Sequence, residues 1–253
     1  TTRSRISMNT FLKIVIPLCF AHALTKDIPS FLRPCKRDDV TLGECMTRTA
    51  YEIVPKLKNG ISELALDPLD PLLVSNVSFS TGGESMRLDV KLKNLKVMGL
   101  ELFVVKNLTT KINEGMFNFA FYVPQLRIVA DYEIEGKLLA FAVAGSGRCE
   151  LNGSDVSATT LWWGKLYEKG GEKYIRFDKL DIEFDIKNVT VHFENLFDGN
   201  EELTLVANKM FNENINILKE ELQPVIKNII NDVLTDYVNK LHSEYPMDQL
   251  FPL

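Results

Sequence analysis

Apolar and polar residues alternate along most of the chain between Ser78 and Phe197. In MRLDVKL, the side chains of Met86, Leu88, Val90 and Leu92 share one face; FNFAFYV offers Phe117, Phe119 and Phe121, and LRIVADYEI offers Ile128, Ala130, Tyr132 and Ile134. A repeat of two places such residues on one side of a pleated strand and leaves the other side wet. KLLAFAVAG is apolar throughout and predicts a strand buried on both faces. Gly145-Ser146-Gly147 predicts a turn, TTLWWGKLYEKGGEKYIRF a hairpin turning at Gly170-Gly171, and LDIEFDI and VTVHF the last strands. The apolar phase slips by three at Leu92/Leu95, Phe177/Leu180 and Ile186/Val189. Each slip requires a bulge or a turn, and repeated bulges curl a sheet.

Beyond NLFDGN (Asn195 to Asn200) the period changes. Phe211, Ile215, Leu218, Leu222, Ile226, Ile229, Val233 and Tyr237 recur in steps of three and four, the stripe of an amphipathic helix. A helix from Leu205 to His242 would span roughly 57 Å, with Pro224 as a kink. Only an equally long partner covers such a stripe, and the curled sheet is that partner. Nearer the start, LGECMTRTAYEIVPKLKNGI predicts a shorter helix, with Thr41 and Glu44 as a capping box and Asn59-Gly60 as the stop. The prolines of LDPLDPLL then hold the chain extended.

Composition narrows the picture. With 45% hydrophobic and 25% charged residues in 253, the chain is of ordinary globular type and long enough for one large domain, expected over 24–253. MNTFLKIVIPLCFAHA reads as a secretory signal peptide starting at Met8, with Thr1 to Ser7 upstream of it. Its apolar run is too short for a membrane anchor. Cleavage after Ala23 removes Arg3, Arg5 and Lys13 but no acid, so the formal charge moves from −5 to −8. Such a surface has no electrostatic reason to seek nucleic acid or anionic lipid. In a secreted chain Cys35 and Cys45 are expected to form a disulfide, with Cys149 left over as a buried thiol. Asn76, Asn107, Asn152 and Asn188 head N-x-S/T sequons and are glycosylation candidates.

Catalytic chemistry finds little footing. His192 falls on the wet face of its strand, and His242 near the helix end reads as a surface residue suited to the dipole. Gly145-Ser146-Gly147 lacks the spacing of a nucleophile elbow. No zinc or nucleotide motif occurs, and Asp178, Asp181 and Asp185 read as the solvated side of a strand. No metal, cofactor or catalytic residue is expected.

Several short stretches, in order along the chain, carry a family resemblance: the Cys35/Cys45 pair, LDPLDPL (Leu66 to Leu72), NLFDGN, FNENI (Phe211 to Ile215), ELQP (Glu221 to Pro224) and the closing LFP (Leu250 to Pro252). With these the chain resembles the takeout and juvenile-hormone-binding proteins of insects, within the tubular lipid-binding superfamily. The resemblance implies an α+β fold in which a long C-terminal helix is wrapped by a highly curved antiparallel sheet enclosing an apolar tunnel. It implies a secreted, monomeric, non-enzymatic carrier of a small hydrophobic ligand such as a terpenoid or fatty acid, without stable membrane insertion, and an unspecified receptor. The apolar residues by themselves fit an ordinary core as well as a tunnel. The resemblance assigns to the tunnel Leu88, Val90, Phe117, Phe119, Phe121, Tyr132, Trp162, Phe184, Phe211, Ile215 and Leu218; apart from it, a polar group such as the hydroxyl of Tyr132 or Tyr122 is a candidate to meet a ligand head group. Three mature cysteines allow a single disulfide, fewer than the two expected of dedicated hormone carriers, so the likeness runs to the takeout side. Two rival readings are a secreted lipid esterase, which needs a base that neither histidine obviously supplies, and a protein that extracts lipid from membranes.

Overall fold

The structure, a computed structural model, describes residues 27–83, 85–139 and 141–253. The expected signal peptide lies outside these residues. Helix α1 (Leu42–Leu57) comes first. Seven strands follow: β1 (Leu72–Val74), β2 (Val77–Ser80), β3 (Met86–Met98), β4 (Val104–Lys111), β5 (Met116–Leu138), β6 (Phe141–Lys169) and β7 (Glu172–Phe193). Helices α2 (Glu201–Glu213), α3 (Ile215–Glu244) and α4 (Met247–Leu250) complete the chain. All strand pairs are antiparallel, in the order β1-β3-β5-β6-β7, with β2 also on β3 and β4 also on β5. β1 and β2 keep one register on β3, Val74 opposite Leu95 and Val77 opposite Leu92, so together they form a single interrupted edge strand.

The strands are longer than the sequence predicts. FNFAFYV and LRIVADYEI join into β5 straight through Pro124. KLLAFAVAG is no single strand, because Leu138 pairs with Phe141 and the chain reverses between them. Gly145-Ser146-Gly147 is not a turn and lies inside β6. Its glycines serve close approach: a Cβ on Gly145 would fall 2.8 Å from Leu196 Cα, and one on Gly147 2.6 Å from the Glu194 carbonyl. The segment leaving β7 crosses β6 at these points.

The phase slips have two different causes. Register shifts mark bulges at Lys93/Lys96, where Asn94 takes a positive φ of 52°, and opposite Trp163/Gly164, where Asp178 is the extra residue between Phe177 and Lys179. These account for Leu92/Leu95 and Phe177/Leu180. At Ile186/Val189 the register is unbroken. Instead Pro124, Asp155 and Lys187 fall in one row across β5, β6 and β7, between pairs that keep step on either side. All three strands exchange inner and outer faces along that row, as in Val123 then Leu126, and Gly153 then Val156. Proline lacks an N–H and Asp155 has φ 55°, so both suit a crease where the ladder opens.

The long helix is also in two pieces. α2 starts earlier than expected, capped by the Asn200 side chain accepting from Leu203 N at 3.0 Å. The break falls at Asn214, whose side chain donates to the Met210 carbonyl (2.9 Å), while α3 continues through Pro224. The capping box expected at α1 is not made; the Thr41 amide and hydroxyl both donate to Asp39 instead. Cys35 and Cys45 form the disulfide.

Candidate functional site

β7 is the sheet edge against which α2 and α3 lie. An edge strand presents unpaired N–H and C=O groups in a row. Here three helical asparagines satisfy them as another strand would. Asn208 accepts from Phe193 N and donates to Phe193 O, both at 2.8 Å. Asn212 does the same for Val191 (2.9 and 2.8 Å), and Asn239 for Phe177 (2.8 and 2.8 Å). Between them Lys219 reaches the Ile186 carbonyl (2.5 Å) and Lys227 pairs with Glu183 (2.5 Å). The helix is thereby fastened to β7 along almost its whole length, with its apolar stripe turned inward. The sequence reading missed these asparagines. Their signal was present as Asn208 and Asn212, polar residues one turn apart beside the apolar stripe.

The apolar interior gathers at the two ends of the helix. At the α2 end, Met86, Leu88, Val90, Tyr132, Ile134, Leu138, Leu196, Phe211 and Leu218 form one buried cluster, with Ile215 and Leu222 against it. At the other end Phe117, Trp162, Phe177 and Leu180 pack with Tyr245, Met247, Leu250 and Phe251 of the C-terminal segment. That segment is held by Arg37, whose Nε donates to the Phe251 carbonyl (2.7 Å) and whose guanidinium pairs with Asp248. Between the clusters lies a smaller group, Val77, Leu95 and Ala130, with Val74, Val97, Ile128 and, from α3, Ile229 packed against it. Over this middle stretch Leu222, Ile226, Ile229, Ile230 and Val233 are all half-buried. Neither Ile226 nor Val233 belongs to a packed cluster. An amphipathic helix facing a sheet ordinarily buries its stripe outright; along α3 only Leu218 is buried, the other stripe residues are half-buried, and in the middle Ile229 alone of the stripe meets the Val77 group.

The residues assigned to a tunnel divide accordingly. Leu88, Val90, Tyr132, Phe211, Ile215 and Leu218 join the α2-end cluster; Phe117, Phe119 and Trp162 join the other. Phe121 and Phe184 are half-buried in neither, Phe121 meeting Phe103 edge-on at 6.4 Å. Tyr132 donates its hydroxyl to the Glu194 carbonyl at 2.6 Å, and burial pushes its pKa up to about 12. Tyr122 is on the outer face, its hydroxyl donating to Asp155 at 2.6 Å, so it does not meet a ligand head group inside. His192 is exposed as expected, but His242 is not a surface residue. It lies edge-on to Phe177 with centroids 5.0 Å apart, and burial lowers its pKa. Cys149 is half-buried, and desolvation raises its thiol to about 11. Asp178, Asp181 and Asp185 are exposed. Among the described residues no cluster of three or more His, Cys, Asp or Glu could hold a metal, and no helix is long and apolar enough to cross a membrane.

The sequence profile of the family described as haemolymph juvenile hormone binding protein matches residues 14–252. The chain belongs to that family. Proteins similar to it include the circadian clock-controlled protein daywake of Drosophila melanogaster, 26% identical over 90% of this chain and 89% of daywake. The Drosophila yakuba daywake is 23% identical, again over 90% and 89%. Among solved structures, Takeout 1 of Epiphyas postvittana superposes with a TM-score of 0.74, covering 87% of this chain and 99% of that one at 21% identity. Takeout 1 shares the α+β architecture of a long C-terminal helix in a curved antiparallel sheet.

Proposed function

We propose that this family member is a secreted, monomeric, non-enzymatic carrier that holds a small hydrophobic molecule between α3 and the curled sheet, within a domain spanning 24–253. The observation that carries the reading is the half-buried apolar stripe from Leu222 to Val233, flanked by a packed cluster at each end. A hydrocarbon laid along it would cover Ile226 and Val233, which are half-buried and lie outside the packed clusters. Burying about 400 Å² of apolar ligand surface yields on the order of 10 kcal/mol gross, enough for micromolar affinity after association costs. The family description, which names a hormone-binding protein of haemolymph, supports an extracellular apolar ligand such as a terpenoid or fatty acid. The Cys35–Cys45 disulfide and the exposure of Asn76, Asn107, Asn152 and Asn188 support a secreted, glycosylated chain. The inner residues of the two clusters, Phe119 and Leu218 among them, would bound the ligand at its ends.

Native mass spectrometry of protein from its own source, followed by solvent extraction, should reveal a single bound lipophilic species. The delipidated protein should then take up cis-parinaric acid, a fluorescent fatty acid, and Ile226→Glu should abolish uptake while leaving the circular dichroism unchanged. Uptake by the variant equal to that of the parent would refute the proposed position.

A further inference from the structure

The wall around the proposed ligand space has two long seams, one on each side of α3, and they are built differently. On the β7 side, backbone-satisfying hydrogen bonds run from Asn208 to Asn239. On the other side lies the interrupted edge strand, residues 72–80. Among the described residues no hydrogen bond or ion pair joins it to α3; what meets there is apolar, Ile229 against the Val77 group. Among the described residues the seam's other contacts with α3 fall at its two ends. At one, Tyr237 donates to the Asp67 carbonyl (2.9 Å) and Lys240 pairs with the Asp67 carboxylate. At the other, the loop after β2 brings Gly83 onto Glu221: a Cβ at position 83 would fall 2.7 Å from the Glu221 Cδ. The seventeen residues from Glu221 to Tyr237 rise about 24 Å, close to the length of the edge strand they face.

We infer that the ligand enters sideways, by parting the seam between residues 72–80 and α3, and not through either end. The inference rests on the carrier reading above. Opening the β7 seam would strip backbone groups of their partners, at a cost of several hydrogen bonds at once. Opening the ends would unpack buried clusters, including Tyr245, Phe251 and the Arg37 tie. Opening the apolar seam exchanges side-chain contacts for contacts with the incoming hydrocarbon. The edge strand is also the more deformable wall, since its pairing with β3 lapses at Ser75 and Asn76.

The test closes the seam. A Gly83→Cys/Glu221→Cys double variant, oxidised and its new disulfide verified by mass spectrometry, is mixed with cis-parinaric acid in a stopped-flow instrument. The same protein reduced, and the parent protein with and without reductant, serve as controls. Loading of the oxidised variant should be slower by about tenfold or more than when reduced, as expected of a blocked gate. Equal rates would overturn the route while leaving the carrier reading intact; failure of the parent to load at all would sink both. In the parent protein, Lys240→Ala should speed loading and Arg37→Ala should not. The opposite pattern would move the opening to the C-terminal end and overturn the inference.

Discussion

Asn208→Ala tests the fastening of helix to sheet. Asn208 is 7% exposed and makes three hydrogen bonds, two with the Phe193 backbone (2.8 Å each) and one to the Thr204 carbonyl (3.1 Å). Alanine leaves the Phe193 N–H and C=O facing a small gap. With each group left unpaired costing about 1–3 kcal/mol, offset in part by water reaching Phe193 at the sheet edge, the expected loss is about 2–4 kcal/mol. Urea unfolding followed by near-ultraviolet circular dichroism and fluorescence measures it, and the slope should not change. Asn188→Ala is the control: Asn188 is exposed, and its amide donates only to Ser154 Oγ at 3.0 Å, so its loss should stay within about 0.5 kcal/mol. Asn208→Asp keeps the acceptor for Phe193 N but sets a carboxylate against the Phe193 carbonyl, and should be at least as damaging at neutral pH as alanine. If Asn208→Ala costs no more than Asn188→Ala, the amide pairing does not hold the helix to the sheet.

Three further outcomes follow from particular contacts. His242 has a folded pKa below its ordinary 6.5 because it is buried, so the unfolded chain takes up the proton first as pH falls. Its contribution is complete above about pH 6.5 and declines below it, and His242→Gln should flatten that limb in thermal melts recorded between neutral and mildly acid pH. Cys149, its thiol raised to about 11 by burial, should react with iodoacetamide at pH 8 far more slowly than a free cysteine peptide, and at the peptide's rate once the protein is unfolded in urea. Gly147→Ala, whose Cβ would meet the Glu194 carbonyl at 2.6 Å, should cost about 1–3 kcal/mol and displace the carbonyl that Tyr132 donates to, shifting the tyrosine signal in near-ultraviolet circular dichroism.

Much of the architecture was legible because its cause is local. The alternation that sets Leu88 and Val90 inward, the turn at Gly170-Gly171 and the stripe from Phe211 to Tyr237 each arise from a repeat matched to one kind of backbone. The phase slips at Leu92/Leu95 and Phe177/Leu180 were readable as bulges for the same reason. What depended on neighbours far along the chain was not. FNFAFYV and LRIVADYEI read as two strands, yet they run as one through Pro124, which sits in a row with Asp155 and Lys187 where three strands crease together and no ladder bond is asked of it. Gly145 and Gly147 read as a turn, yet they are bare so that residues 194–196 can cross over them. His242 reads as a solvated helix end, yet Phe177 of β7 covers it.

The sequence by itself determined most of the strand stretches, the inward face of each between its phase slips and the greasy side of the terminal helix, because a side chain's direction follows from the backbone period; it misplaced KLLAFAVAG and Gly145-Ser146-Gly147, where the chain reverses or is crossed. Only the tertiary structure decided that Asn208, Asn212 and Asn239 serve as a substitute strand for β7, and that the middle of the α3 stripe stays half-buried, with Ile226 and Val233 outside the packed clusters. Spacing between surfaces depends on how far the sheet curls, and that is set jointly by bulges, creases and crossings on different strands, none of which contains the distance on its own.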